Sequence, residues 1–132
     1  MKMAFSNYTE QNVLDHLFGA NTFTKPASRF VALFTAAPGE TGGGTEVAGN
    51  NYARVAAGNF TITAGNPSTA ANSSTLEFPA ATGSWGTVTH CAIFDASTSG
   101  NLLAYATLTT SRTVGSGDVL RFLTGELEIT LD

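Results

Sequence analysis

The sequence predicts a mainly β fold: a single-domain antiparallel β-sandwich or barrel, jelly-roll-like, with one short N-terminal α-helix. Three observations predict it. Short apolar runs with period-two alternation recur along the chain, as where Leu127, Ile129 and Leu131 alternate with Glu126, Glu128 and Thr130. Clusters of Gly, Pro, Asn and Ser separate these runs at intervals of roughly 8 to 12 residues, the spacing of sandwiches and barrels. Only one segment, near the N-terminus, repeats its apolar residues at helical spacing.

That segment is predicted as a helix over Asn7 to Phe18. Ser6 can cap it, and Glu10 lies in its first turn, where the helix dipole favours negative charge. Val13, Leu14, Leu17 and Phe18 share one face, and Gly19 supplies a stop, so the helical unit spans 7–19. A helix this short is marginal alone. Its apolar face therefore needs a surface, either the chain's own sheet or a neighbouring subunit.

The sandwich is placed at 28–132, and the whole of 1–132 reads as one β-rich domain. Ser28 to Thr35 is a strand apolar on both faces, so both sides should be covered. Ala36 to Asn51 reads as a long loop, with Pro38-Gly39 and three consecutive glycines at 42–44. Strands follow at Tyr52 to Val55 and Asn59 to Ala64. Gly65 to Ser74 reads as a polar loop of turn formers. Thr75 to Phe78 is a strand that Pro79 ends, and Gly83 to Gly86 is a turn around Trp85. Val88 to Phe94 reads as a central strand and Leu102 to Leu108 as its neighbour. Turns at Asp95 to Asn101 and Val114 to Asp118 bound Leu102 to Leu108 and the strands that close the chain, Val119 to Leu123 and Glu126 to Leu131.

Composition narrows the function. Charged residues make up 12% of the chain, about half the usual share. Polarity therefore comes from Thr, Ser, Asn and Gly, which cost less to bury against neighbouring protein than Lys or Glu. The net charge is −4, and the six Lys and Arg are scattered. That argues against a nucleic-acid partner, which needs a basic patch, and against a polybasic membrane contact. No secretory leader and no transmembrane run is read at the N-terminus. The single cysteine, Cys91, lies in an apolar run and reads as a small buried hydrophobe.

No catalytic constellation emerges. His16 and His90 lack Cys, His, Asp or Glu neighbours at metal-ligand spacing, so no metal and no cofactor are expected. Ser84, His90 and Asp95 could form a triad only without a nucleophile elbow. Glu126 and Glu128 fit a solvated strand face better than a glycosidase pair. The Gly42-Gly43-Gly44 loop lacks the Lys of a phosphate-binding loop. Trp85, flanked by glycine, reads either as a core lid or as a contact anchor.

The chain resembles a family of small tailed-bacteriophage virion proteins that carry tail-fibre or head-decoration labels. The resemblance runs nearly end to end. It starts at Met3-Ala4-Phe5-Ser6-Asn7-Tyr8 and passes through Val31-Ala32-Leu33-Phe34-Thr35-Ala36-Ala37-Pro38. It is densest from Glu77 to Gly86 and closes over Thr113 to Asp118 and the final strand. It implies a virion structural role without catalysis, in a particle assembled in the host bacterial cytoplasm.

The leading expectation is a capsid decoration or cement protein bound to the outer head shell. The alternative is a tail-fibre or tail-tip component contributing to host attachment. Partners would be the major capsid protein or other virion proteins, and a homo-oligomer is expected, a trimer above other states. Candidate interface residues are Val13, Leu17 and Phe18 on the helix, Pro38 and Val47 in the long loop, and Tyr52 and Trp85.

Overall fold

The computed structural model describes residues 1–131. Its helix, α1 (Asn7–Phe18), has the predicted bounds. Ser6 caps it by accepting from the Thr9 amide at 3.2 Å, and the Gly19 amide closes on the Asp15 carbonyl at 2.8 Å.

The sheet is organised around three long strands. These are β2 (Arg29–Ala36), β8 (Gly86–Phe94) and β9 (Leu102–Val114), antiparallel and adjacent. β2 also pairs with the short β3 (Thr45–Glu46) and β4 (Val55–Ala57). A second group joins β5 (Phe60–Thr63), β6 (Ser68–Asn72) and β11 (Glu128–Leu131), again antiparallel. β7 (Leu76–Glu77) and β10 (Arg121–Phe122) form a separate two-stranded ribbon.

The two groups are stitched by β1 (Lys2–Phe5). Its first half, Lys2 and Met3, pairs in parallel with Glu128 and Ile129, and its second half, Ala4 and Phe5, pairs antiparallel with Tyr105 and Ala104. One short strand thus turns the corner between the layers of the sandwich. The β-rich class with one N-terminal helix is the one expected, but the sheet is mixed, because the β1–β11 pair is parallel.

Three strands lie where no strand is predicted. β1 occupies the residues before the helix cap, β3 lies inside what reads as the long loop 36–51, and β6 occupies part of what reads as the polar loop 65–74. Ser-Thr-Ala-Ala-Asn is held extended because both its edges are paired, to β5 and to β11. The loop after β2 is also shaped. Gly44 has φ +75, and a Cβ there would run into the Ala36 and Ala37 carbonyls, so only glycine fits.

The main core fills the space between the layers. Val31, Leu33, Cys91, Ile93, Ala104 and Ala106 from the large sheet meet Phe78, Phe122, Leu127 and Trp85. The opposite face of β2 and β8 carries a smaller cluster, Ala32, Phe34, Ala92 and Phe94 with Leu102. The prediction that β2 is covered on both faces is therefore right.

Candidate functional site

The surface around α1 is built from its N-terminal turn. A register shift in the β8–β9 ladder lies between Ile93 and Phe94, where Ile93 faces Ala104 and Phe94 faces Leu102. Beside this shift the carbonyls of Leu102 and Leu103 bond the first turn of the helix. Ser6 Oγ donates to the Leu102 carbonyl. The Leu103 carbonyl accepts from the Ser6 amide at 3.0 Å and from Thr9 Oγ1 at 2.8 Å. Ser6 and Thr9 are both buried, so the first turn is fixed to the sheet by polar contacts.

The rest of the helix has no such seat. Thr9 is its only buried residue. Leu14, Leu17 and Phe18 are 60%, 63% and 84% exposed, while Val13 is half-buried. The apolar stripe read from the sequence therefore faces outward. Contiguous exposed apolar side chains of this kind mark contact surfaces.

Of the other candidate interface residues, three are not available at the surface. Pro38 and Val47 are buried. Trp85 is 4% exposed, and its Nε1 donates to the Asn50 carbonyl at 2.9 Å. Its ring meets Tyr52 edge-on at 5.4 Å. The physical reason is local: Asn50 and Asn51 both adopt positive φ, which brings the Asn50 carbonyl under the indole. Trp85 is the core lid of the two readings, and its expected use as a contact anchor is corrected.

Tyr52 is half-buried and belongs to a polar cluster that sequence reasoning missed. Its hydroxyl donates to Glu46 Oε2 at 2.7 Å and accepts from the Leu33 amide at 3.0 Å. Arg54 grips the same carboxylate with two bonds, 2.9 Å from Nε and 2.8 Å from a terminal nitrogen. Its other terminal nitrogen donates to the Ala96 and Ser99 carbonyls, and its guanidinium lies 3.9 Å over the Phe94 ring. The Arg54 side chain is 6% exposed and that of Glu46 26%.

Burial pushes the Glu46 carboxyl up, but the bonds from Arg54 and Tyr52 outweigh it and hold the group below the ordinary carboxylate range. Burial, aided by Glu46, raises the Tyr52 hydroxyl well above its usual value. This is a clamp that ties β3 to the segment before β4 and to the turn after β8. Glu46 and Arg54 are eight positions apart, and no periodicity connects them.

The imagined triad is not assembled. Ser84 Oγ accepts from the Gly86 amide, His90 Nδ1 pairs with Thr89 Oγ1 at 2.7 Å, and Asp95 holds Asn101. Each group is spent on its own neighbourhood. Glu126 accepts from the Leu123 amide at 2.7 Å and closes a turn. Cys91 is fully buried, and desolvation pushes its thiol up to about 12.

The fold spends these polar groups on its own turns and leaves an apolar helix face uncovered. Comparison of the sequence with known families gives the class of protein. The family described as Podophage GP4 fiber I protein gp80 matches residues 4–130, and the chain belongs to it. It is a bacteriophage virion structural protein. No curated protein matches the sequence.

Proposed function

We propose that the chain is a non-enzymatic fibre subunit of the virion, joined to its neighbours through the outward stripe of α1. The fibre description of its family carries this reading. The exposure of Leu14, Leu17 and Phe18 supplies the contact. Burying such side chains against another subunit gives about 1.5–3 kcal/mol each, ample to join subunits that are already concentrated on a particle. A homo-oligomer, a trimer above other states, places the stripes of several copies against one another. Assembly takes place in the bacterial cytoplasm, where the single thiol stays reduced.

Capsid decoration is the second reading, with the major capsid protein as partner. It draws on the shape of the fold: a single sandwich, without the heptads or repeats of an extended stalk. A subunit of that kind would stabilise the head by binding only its assembled form.

Immunogold labelling of intact particles separates the two. Label confined to fibres is the expected result. Label spread over the head would replace the fibre reading with the decoration reading, and absence of label from purified particles would remove both.

A further inference from the structure

Between the first turn of α1, the loop after β2 and the turn before β9 lies a cleft of about 370 Å³. That is within the roughly 300–1,000 Å³ of small-ligand sites. Asn7, Tyr8 and Gln11 enter it from the helix, Glu40 and Thr41 from the loop, and Asn101 from the turn. Asn7, Gln11 and Thr41 are exposed. Among the described residues, the side-chain amides of Asn7 and Gln11 and the hydroxyls of Tyr8 and Thr41 have no hydrogen-bond partner within the chain. The Asn101 side-chain nitrogen donates to Asp95 at 2.9 Å, which leaves its oxygen uncommitted. Tyr105 donates to Glu40 Oε1 at 3.4 Å and leaves Oε2 to accept from elsewhere.

Phe94 and Leu102 give this cleft an apolar side. Gly42 and Gly100 also line it, with no side chain to fill the space. The two neighbouring clefts differ in kind. One, of about 220 Å³ under Phe5 and Phe23, is almost wholly apolar. The other, of about 480 Å³ beside Arg54, presents charged groups that already satisfy each other.

We propose that the polar cleft binds a neutral saccharide unit. Amides and hydroxyls both donate and accept, as sugar hydroxyls do, and a carboxylate oxygen accepts from a pair of them. The apolar side suits the C–H face of a pyranose ring, which amides alone would not hold. Glu40 is the only charged residue among those lining the cleft. Phosphates and uronic acids would meet the like charge of that carboxylate. The proposal rests on the cleft and holds wherever on the particle the subunit sits.

The test is an amide NMR titration of the full chain with four neutral probes: maltotriose, mannotriose, lactose and the trimer of N-acetylglucosamine. Each is taken to about 20 mM, enough to saturate a site with a Kd of about 1 mM. At least one probe should shift the amides of Asn7, Gln11, Thr41 and Asn101. The Asn7→Ala/Gln11→Ala variant changes only exposed side chains and should keep the wild-type spectrum. It should bind roughly tenfold or more weakly, the loss of two ordinary hydrogen bonds. Silence from all four probes overturns the proposal, as do shifts centred on another cleft or unchanged affinity in the variant. Equal binding of a uronic-acid trimer overturns the charge argument on which the word neutral depends.

Discussion

Thr9 Oγ1 donates to the Leu103 carbonyl at 2.8 Å, and this bond joins the only buried residue of the helix to the central sheet. It explains how a helix with an apolar stripe comes to wear that stripe outside. The seat is polar and sits at the first turn, so the later turns are free to face another subunit.

Thr9→Val should therefore destabilise the fold although it keeps the size of the side chain. The Leu103 carbonyl keeps its bond from the Ser6 amide, so the loss is that of one ordinary hydrogen bond, about 1 kcal/mol. Ser6→Ala removes the cap and the bond to Leu102 together and should cost about 2 kcal/mol. Urea denaturation followed by circular dichroism reads both, and midpoints unchanged from wild type would show that the helix is seated some other way.

Leu17→Ser and Phe18→Ser should behave in the opposite manner. Both side chains are exposed, so the isolated subunit should keep its stability within about 0.5 kcal/mol. Self-association by analytical ultracentrifugation and incorporation into particles should fall together. A large drop in melting temperature with normal incorporation would mean that the stripe serves the fold.

The Arg54–Glu46 clamp predicts a sharp dependence on one partner. Glu46→Ala leaves a nearly buried guanidinium without its carboxylate and should cost about 3 kcal/mol. The carboxyl is held below its usual range in the folded chain. Its contribution is then fully present above the unfolded value of about 4.3 and is lost as pH falls through the lower folded value. Glu46→Gln should flatten that acid limb of the stability profile. A limb of the same slope in the variant would assign it to other carboxylates.

Trp85→Ala should cost about 3–5 kcal/mol, since it empties a core site and removes the indole's bond to the Asn50 carbonyl. Trp85→Phe keeps much of the volume and should cost less. Tryptophan fluorescence of the wild type should be blue-shifted and resist acrylamide quenching. Ready quenching in the folded protein would place the ring at the surface.

Cys91 should react with a thiol reagent only as fast as the protein opens. The sulfur is buried and its thiol is pushed up to about 12, so almost no thiolate exists at neutral pH. Labelling at the rate of a free thiol in native buffer would contradict this.

What the sequence showed and what it hid follow from how local each signal is. The helix bounds were legible because Ser6, the stripe and Gly19 are neighbours in the chain. β2 and β8 were legible because both faces are apolar. β1 was hidden because its partners, β9 and β11, lie about a hundred positions away. β6 was hidden because its residues are turn formers held extended only by two flanking strands. Whether the helix stripe faced the sheet or the outside was open, since periodicity defines a face and not what covers it. Trp85 needed the backbone of Asn50 to decide its side, and the Glu46–Arg54 clamp is a product of tertiary placement alone.

Electron cryomicroscopy of intact particles tests the central claim most directly. The account predicts this sandwich in the fibres, with Leu14, Leu17 and Phe18 buried against another subunit. Density for the sandwich on the head shell, or in fibres with that stripe facing solvent, would contradict it.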